Sequence, residues 1–485
     1  MLTVKVLNRV RALTLLLLLQ SGIATAAPNI ILVIVDDLGR QDVGAYGGEF
    51  YETPVLDQLA ADGVRFDQAY TAHPRCVPAR VGVMSGRFPA RYGIPGFPDR
   101  KSGPHQLPLS AVTFAERLQE VGYRTGYVGK WHLGKDETGW PDRQGFDVSL
   151  FAGAAGAPGS YFYPFENRKP NVPTGLFPPY DGGFDGEYLT DRLTGEAIGF
   201  VEESGDQPFL LVLAHYAVHT PIQAPDALAQ KYREKARDTG LSKKWSDDLE
   251  RDGTGMYKTE QNHPVYAGMV ESVDTNLGRL LTALEETGID DNTVVIVTSD
   301  HGGLSSRGLE SKRELATSNL PFRHGKGWLY DGGVRVPLIV RWPGRAVAGH
   351  VSDVRVTGTD HFRTILEMAG AEVGAANPED SVSYLSALDG GHYERPPMFW
   401  HSSLGRPTQT GDTRASAVLD GDWKLIQWYS LESEEVLRTE LFNVSEDPGE
   451  RHDVAAAHAD EFERLNSMLD AWKAEVNARL GSFGR

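Results

Sequence analysis

Asn29-Ile30-Ile31-Leu32-Val33-Ile34-Val35-Asp36-Asp37 is the stretch from which the fold can be read. Its apolar run is unbroken and rich in β-branched side chains, the composition of a strand covered on both faces, and it is too short for a buried helix. It stops abruptly at two carboxylates. The same grammar returns at Phe209 to Ala214, followed by His215 and His219, and at Thr293 to Thr298, followed by Asp300-His301. Helical patterns occupy the intervals, at Pro54 to Asp62, Val112 to Val121 and Val265 to Thr287. Strands alternating with helices predict an α/β fold with a large, mainly parallel sheet flanked by helices. In such sheets, sites form beyond the carboxyl ends of the strands.

Outward from this core, the ends of the chain read differently. Met1 to Ala27 has a basic start (Lys5, Arg9, Arg11), an apolar run centred on Leu15 to Leu19, and the small-residue stretch Ala24-Thr25-Ala26. That is the pattern of a secretory signal peptide cleaved after Ala26, leaving an exported, periplasmic or extracellular protein. The run falls short of the roughly 20 apolar residues a membrane span needs, so no stable membrane insertion is expected. No cysteine stands at the cleavage site, which argues against a lipid anchor. Residues 27–372 are expected to form the main domain, and the Gly/Ala/Pro-containing stretch Gly370 to Asp380 reads as a connector. Beyond it, Met398 to His401, Ala415 to Leu419, Trp423 to Trp428 and Thr439 to Phe442 read as short strands, with Ala459 to Leu480 as a closing helix. These predict a smaller antiparallel α+β subdomain over residues 373–485. The polar segment Lys231 to His263 is expected to be a surface excursion, with room for short helices and no assigned chemistry.

Composition narrows the function. One cysteine in 485 residues allows no internal disulfide, so stability must come from the core. A formal charge of −18 disfavours nucleic acid or an anionic membrane as partner. Any anionic substrate then needs a locally positive pocket.

That single cysteine lies in His73-Pro74-Arg75-Cys76-Val77-Pro78-Ala79-Arg80, opening a predicted helix. A lone thiol in an arbitrary protein is usually a small buried hydrophobe, but Pro and Arg at plus two and plus four turn the reading toward chemistry. Asp36, Asp37, Asp300 and His301 lie at the ends of two predicted strands that can be neighbours. Converging carboxylates repel, so a cation is implied, and oxygen ligands favour Ca²⁺ or Mg²⁺ over zinc. The segment from Gly122 to Leu133 (GYRTGYVGKWHL) would deliver Lys130 and His132 to the same strand-end surface, with Trp131 turned into packing. Ala217-Val218-His219-Thr220-Pro221 and the stretch from Gly325 to Pro337 (GKGWLYDGGVRVP) complete the set.

Together these segments resemble the type I, formylglycine-dependent sulfatases, arylsulfatase-like members of the alkaline phosphatase superfamily. The resemblance runs in the family's order from Asp36 to Leu441-Phe442-Asn443 and Asp447-Pro448. It implies that a maturation enzyme oxidises Cys76 to formylglycine, whose hydrate is the nucleophile, and that Ca²⁺ (or Mg²⁺) is held by Asp36, Asp37, Asp300 and His301 with position 76 as a further ligand. Many relatives carry Asn where this chain has His301. Arg80 and Lys130 would hold the nucleophile, Lys326 and His219 the sulfate, and His132 would act as base. His73, Arg75 and His215 are candidates for touching the substrate, expected to be a sulfated carbohydrate.

Other polar residues are discounted. Arg313, Arg323, His324 and His401 read as solvated loop residues, Asp331-Gly332-Gly333 as a turn, and the aromatic run Tyr161 to Phe165 as a packed loop. Two alternatives stand beside a sulfatase: a phosphonate or phosphate ester hydrolase on the same scaffold, and a non-catalytic binder of sulfated glycans.

Overall fold

The structure is a computed structural model that describes residues 27–94, 106–166, 182–241, 248–374 and 379–480. The predicted leader, 1–26, and part of the predicted connector, 375–378, lie outside the described residues.

Fifteen described strands follow in chain order. They are β1 (Asn29–Val35), β2 (Val64–Tyr70), β3 (Arg124–Gly129), β4 (Val148–Leu150), β5 (Phe209–His215), β6 (Leu249–Asp252), β7 (Gly255–Lys258), β8 (Thr293–Ser299), β9 (Ser306–Gly308), β10 (Leu338–Arg341), β11 (His350–Thr357), β12 (Met398–Ser402), β13 (Ala415–Asp420), β14 (Trp423–Tyr429) and β15 (Val436–Asn443). Eight of them form the main sheet in the order β11-β2-β10-β8-β1-β5-β3-β4. All its pairings are parallel except those of β10.

The three strands recognised by their apolar runs therefore lie side by side, with β1 between β5 and β8. Along β1, Ile31, Val33 and Val35 enter one apolar core while Ile30, Leu32 and Ile34 enter another, as alternation across a sheet buried on both faces requires. Helices Leu189–Ser204 and Pro264–Glu286 cover the first face, and Cys76–Ser85, Phe114–Glu120 and Asp360–Met368 the second. The helices read from sequence at Pro54 to Asp62, Val112 to Val121 and Val265 to Thr287 appear as Pro54–Asp62, Phe114–Glu120 and Pro264–Glu286. None of the described helices is long and apolar enough to cross a membrane.

β12 to β15 form an antiparallel sheet closed by the helix Ala459–Glu475, which packs Leu465, Leu469 and Trp472 against it. Two expectations gain detail. The stretch from Lys231 to His263 is not merely a polar excursion: it completes the helix Asp226–Asp238, whose Tyr232 is buried in the core, and forms the hairpin β6–β7, which pairs with β9. Its short, charged strands lack the apolar signature of the central ones. Asp331-Gly332-Gly333, read as a turn, opens the single helical turn Asp331–Val334. There the buried Asp331 is bonded by Lys424 of β14 at 2.7 Å, and Lys424 also pairs with Glu450 at 2.7 Å. The aromatic run is packed as expected. Tyr161 is buried and its hydroxyl donates to the carbonyls of Tyr216 (2.6 Å) and His219 (2.9 Å).

Candidate active site

Parallel register brings the acidic residues together. Val35 of β1 lies opposite Ser299 of β8, so Asp36 and Asp300 leave the sheet as neighbours. Asp37 follows in a left-handed backbone conformation (φ 63°) and its N–H donates to Asp300 Oδ1 at 3.2 Å. His132 is also left-handed (φ 60°). Such backbone costs a non-glycine residue on the order of 1 kcal/mol or more and gathers at functional sites.

Cys76 begins the helix Cys76–Ser85 and is buried. Arg80, one turn on, crosses beneath the cluster: Nε donates to Asp300 Oδ2 at 3.0 Å, Nη1 to the Lys130 carbonyl at 2.6 Å, and Nη2 lies 3.9 Å from Asp36. Beyond the end of β3, Lys130 reaches Asp36 Oδ2 at 2.5 Å, and Trp131 turns away into the core as predicted. Lys326 bonds Asp37 Oδ1 at 2.6 Å and stands 3.6 Å from Cys76 Sγ. His301 donates from Nδ1 to the Gly302 carbonyl (3.0 Å), which aims Nε2 at Cys76 Sγ (3.2 Å) and Asp37 (3.3 Å). His132 hydrogen-bonds Cys76, and His219 Nε2 lies 3.9 Å from Asp37.

These charges tune one another. Burial pushes the Cys76 thiol up, but Lys130, Lys326 and His301, with the hydrogen bond from His132, outweigh it and hold it well below the usual thiol range. Burial and the neighbouring Asp300 push Asp36 well up against the pull of Lys130, whereas Lys326, His219 and His301 overcome burial at Asp37 and hold it down. Burial pulls His132 below the usual imidazole range and His219 down to about 3. The arrangement favours an anion at position 76 beside neutral His132 and His219.

The donor set also suits a metal ion. Ligand atoms of Asp36, Cys76, Asp300 and His301 all lie within 4.8 Å of one another, as do those of Asp37, Cys76 and His219. Asp36 Oδ1 and Asp37 Oδ2 are buried without a hydrogen-bond partner, and coordination would satisfy both.

The three candidates for substrate contact are all buried. Arg75 is bound to Asp412 at 2.6 Å, His73 lies under the helix start with no hydrogen bond to either ring nitrogen, and burial takes His215 down to about 4. Of the discounted residues, Arg323 pairs with Asp252 at 2.6 Å and His324 stacks on Trp328 at 3.7 Å. His401 bonds Ser416 and the Arg479 carbonyl. Sequence reading passed over Asp412 and Thr410, which clamp Arg75, and Gly156, which lies against the His132 ring. None stands in a motif.

A buried cysteine at a helix start, facing carboxylates at the carboxyl ends of parallel strands, is the setting in which comparisons with known proteins place the chain among the hydrolases of the alkaline phosphatase superfamily. The chain belongs to the sulfatase family, whose members are sulfuric ester hydrolases. The sulfatase family model matches residues 28–371, and a model of the N-sulphoglucosamine sulphohydrolase C-terminal region matches 323–476. The N-acetylgalactosamine-6-sulfatase of Canis lupus familiaris is 31% identical over 448 residues, 85% of this chain and 75% of that protein. Its counterpart from Rattus norvegicus is 31% identical over 90% of this chain and 82% of that protein. The crystal structure of Ps i-CgsB in complex with k-i-k-neocarrahexaose superposes with a TM-score of 0.72 at 28% identity, covering 92% of each chain.

Proposed function

We propose that the protein is an exported sulfatase that removes sulfate from a sugar unit of a sulfated polysaccharide or oligosaccharide. In this reading residue 76 is matured to formylglycine, and a calcium ion is held by Asp36, Asp37, Asp300 and His301. The observation that carries it is the setting of Cys76: buried at a helix start, within contact of His301 and Lys326, hydrogen-bonded by His132, and beside two buried carboxylate oxygens with no donor of their own. The substrate class is supported by the relatives that act on or bind sulfated sugars by name. Export is supported by the leader pattern of residues 1–26.

When present, hydrated formylglycine supplies a geminal diol, and the cation lowers the pKa of a bound hydroxyl and polarises a sulfate oxygen. The chain's own residues do the rest. Arg80 and the N–H groups at the helix start offset negative charge near position 76, and Lys130 locks Asp36 in place. Lys326 and His219 flank Asp37 on the side where a sulfate would sit, and one of them protonates the departing alcohol oxygen. His132, kept neutral by burial and already bonded to residue 76, accepts a proton from the group at that position.

The test is the mass of the peptide spanning residue 76 from secreted protein, together with turnover of sulfated mono- and oligosaccharides beside an aryl sulfate and a phosphonate monoester. An aldehyde mass and sulfate release are expected. An unmodified thiol in fully active protein would overturn the mechanism, and a clear preference for the phosphonate would overturn the substrate class.

A further inference from the structure

Three backbone segments that carry site residues meet at one buried side chain, Asn319. The turn after β1 bears Asp37 and runs through Leu38 to Gly39. The turn after β8 bears His301 and runs through Gly302 to Gly303, and Lys326 follows Gly325 in the loop that leads to the helical turn Asp331–Val334.

Asn319 Nδ2 lies within hydrogen-bond distance of the carbonyls of Gly303 (3.1 Å), His324 (3.0 Å) and Gly332 (3.1 Å) and of Ser305 Oγ (3.0 Å). The same Gly303 carbonyl accepts the N–H of Lys326 at 3.0 Å, and Ser305 Oγ donates to the His324 carbonyl at 2.8 Å. Gly302 N–H donates in turn to the Gly333 carbonyl at 3.0 Å, which ties the residue after His301 to the segment that Asn319 holds.

The segments close tightly on the amide. A Cβ at Gly39 would lie 2.5 Å from Asn319 Oδ1, one at Gly303 3.0 Å from the same oxygen, and one at Gly325 2.5 Å from Nδ2. Glycine at these places lets three segments approach one side chain.

The two ends of the amide are used unequally. Four acceptors surround its two N–H donors, while Oδ1 is buried with no hydrogen-bond partner among the described residues. An apolar side chain would remove both donors, and a carboxylate would set negative charge against three carbonyl oxygens, each at a cost in a buried place. The position calls for a neutral double donor of this length, which asparagine supplies.

We propose that Asn319 is a positioning residue for sulfate ester cleavage. By drawing the Gly303, His324 and Gly332 carbonyls onto one amide packed against Gly39, it fixes Asp37, His301 and Lys326 relative to one another around residue 76. The proposal rests on the sulfatase reading and deepens it, since it gives one buried side chain outside the reacting groups control over three residues of the site.

The experiment measures kcat for sulfate release from an aryl sulfate, per folded and matured molecule, in Asn319→Ala, Asn319→Asp and Ser305→Ala, with thermal melts alongside. Both Asn319 variants are expected to lose about 10- to 100-fold, the scale of a misplacement of about 1 Å. Ser305→Ala, which keeps the amide, is expected to lose about 3- to 10-fold. A carboxyl group has the shape of the amide but donates only when protonated, so the ratio of Asn319→Asp kcat to parent kcat should rise as pH falls. A role in packing alone would lower the melting temperature and leave that ratio flat. Parent-like kcat in either Asn319 variant, or a ratio indifferent to pH, would overturn the proposal while leaving the sulfatase reading intact. Should neither variant fold, parent-like kcat in Ser305→Ala would overturn it. A parent protein that releases no sulfate from any ester would overturn the sulfatase reading and the proposal with it.

Discussion

Cys76 has the most to reveal at the scale of single residues. Three cations lower it, yet a thiol offers one nucleophilic pair and no second hydroxyl, so removing the side chain is expected to abolish turnover while leaving the fold. Cys76→Ala should lose at least about a thousandfold in kcat with an unchanged circular dichroism spectrum. A subtler change tests His132 through its neighbour. A Cβ at Gly156 would lie 2.4 Å from His132 Cε1 and 2.6 Å from Nε2, so Gly156→Ala must push the ring off Cys76. A misplacement of that size is expected to cost about 100-fold in kcat with little change in thermal stability. Asp36, Asp300, Lys130 and Lys326 were legible in sequence because each follows a recognisable run or motif. Asp412 was not, because its partner Arg75 is 337 positions away and the loop that unites them has no pattern of its own.

At the scale of elements, the ends of β1, β3, β5 and β8 are the framework of the site, and β3 approaches β5 closely there. Gly129 has φ 101°, and a Cβ there would lie 2.0 Å from the Ala214 carbonyl oxygen, next to the Lys130 N–H that donates to the same oxygen at 2.7 Å. Gly129→Ala is therefore expected to destabilise the fold by about 2 kcal/mol or more and to displace Lys130 from Asp36. Chemical denaturation and kcat should fall together, unlike in Gly156→Ala. The central strands announced themselves by uninterrupted apolar runs. β6, β7 and β9 did not, because short, half-exposed strands carry mixed polar residues and are specified by their partners.

For the molecule as a whole, two outside variables should report the design. If a cation joins the acidic cluster, chelator should lower the melting temperature and added Ca²⁺ restore it, by about 2.7 kcal/mol at a hundredfold excess over Kd. A melting temperature indifferent to both would remove the ion from the account. Acid acts elsewhere. Burial lowers both His361 and His401 from 6.5 to about 4. His361 bonds the Tyr384 hydroxyl at 2.9 Å, and His401 bonds Ser416 and the Arg479 carbonyl. Between those limits the unfolded chain binds protons that the folded one refuses. The stability that these two imidazoles contribute is thus complete above about pH 6.5 and lost as pH falls toward 4, with a slope of up to about 1.4 kcal/mol per pH unit for each imidazole. His401→Gln should flatten that slope in melts taken across the range.

The amino-acid order alone determined that the chain is a layered α/β protein, where its central strands end, and which side chains wait at those ends, because hydrophobic periodicity and strand-end placement are local properties. Only the tertiary structure decided that β1 lies between β5 and β8 in register, so that Asp36 meets Asp300, and that the loop of Asp412 closes against Arg75. Those juxtapositions depend on long-range packing, where many weak contacts select one arrangement and no single segment encodes it.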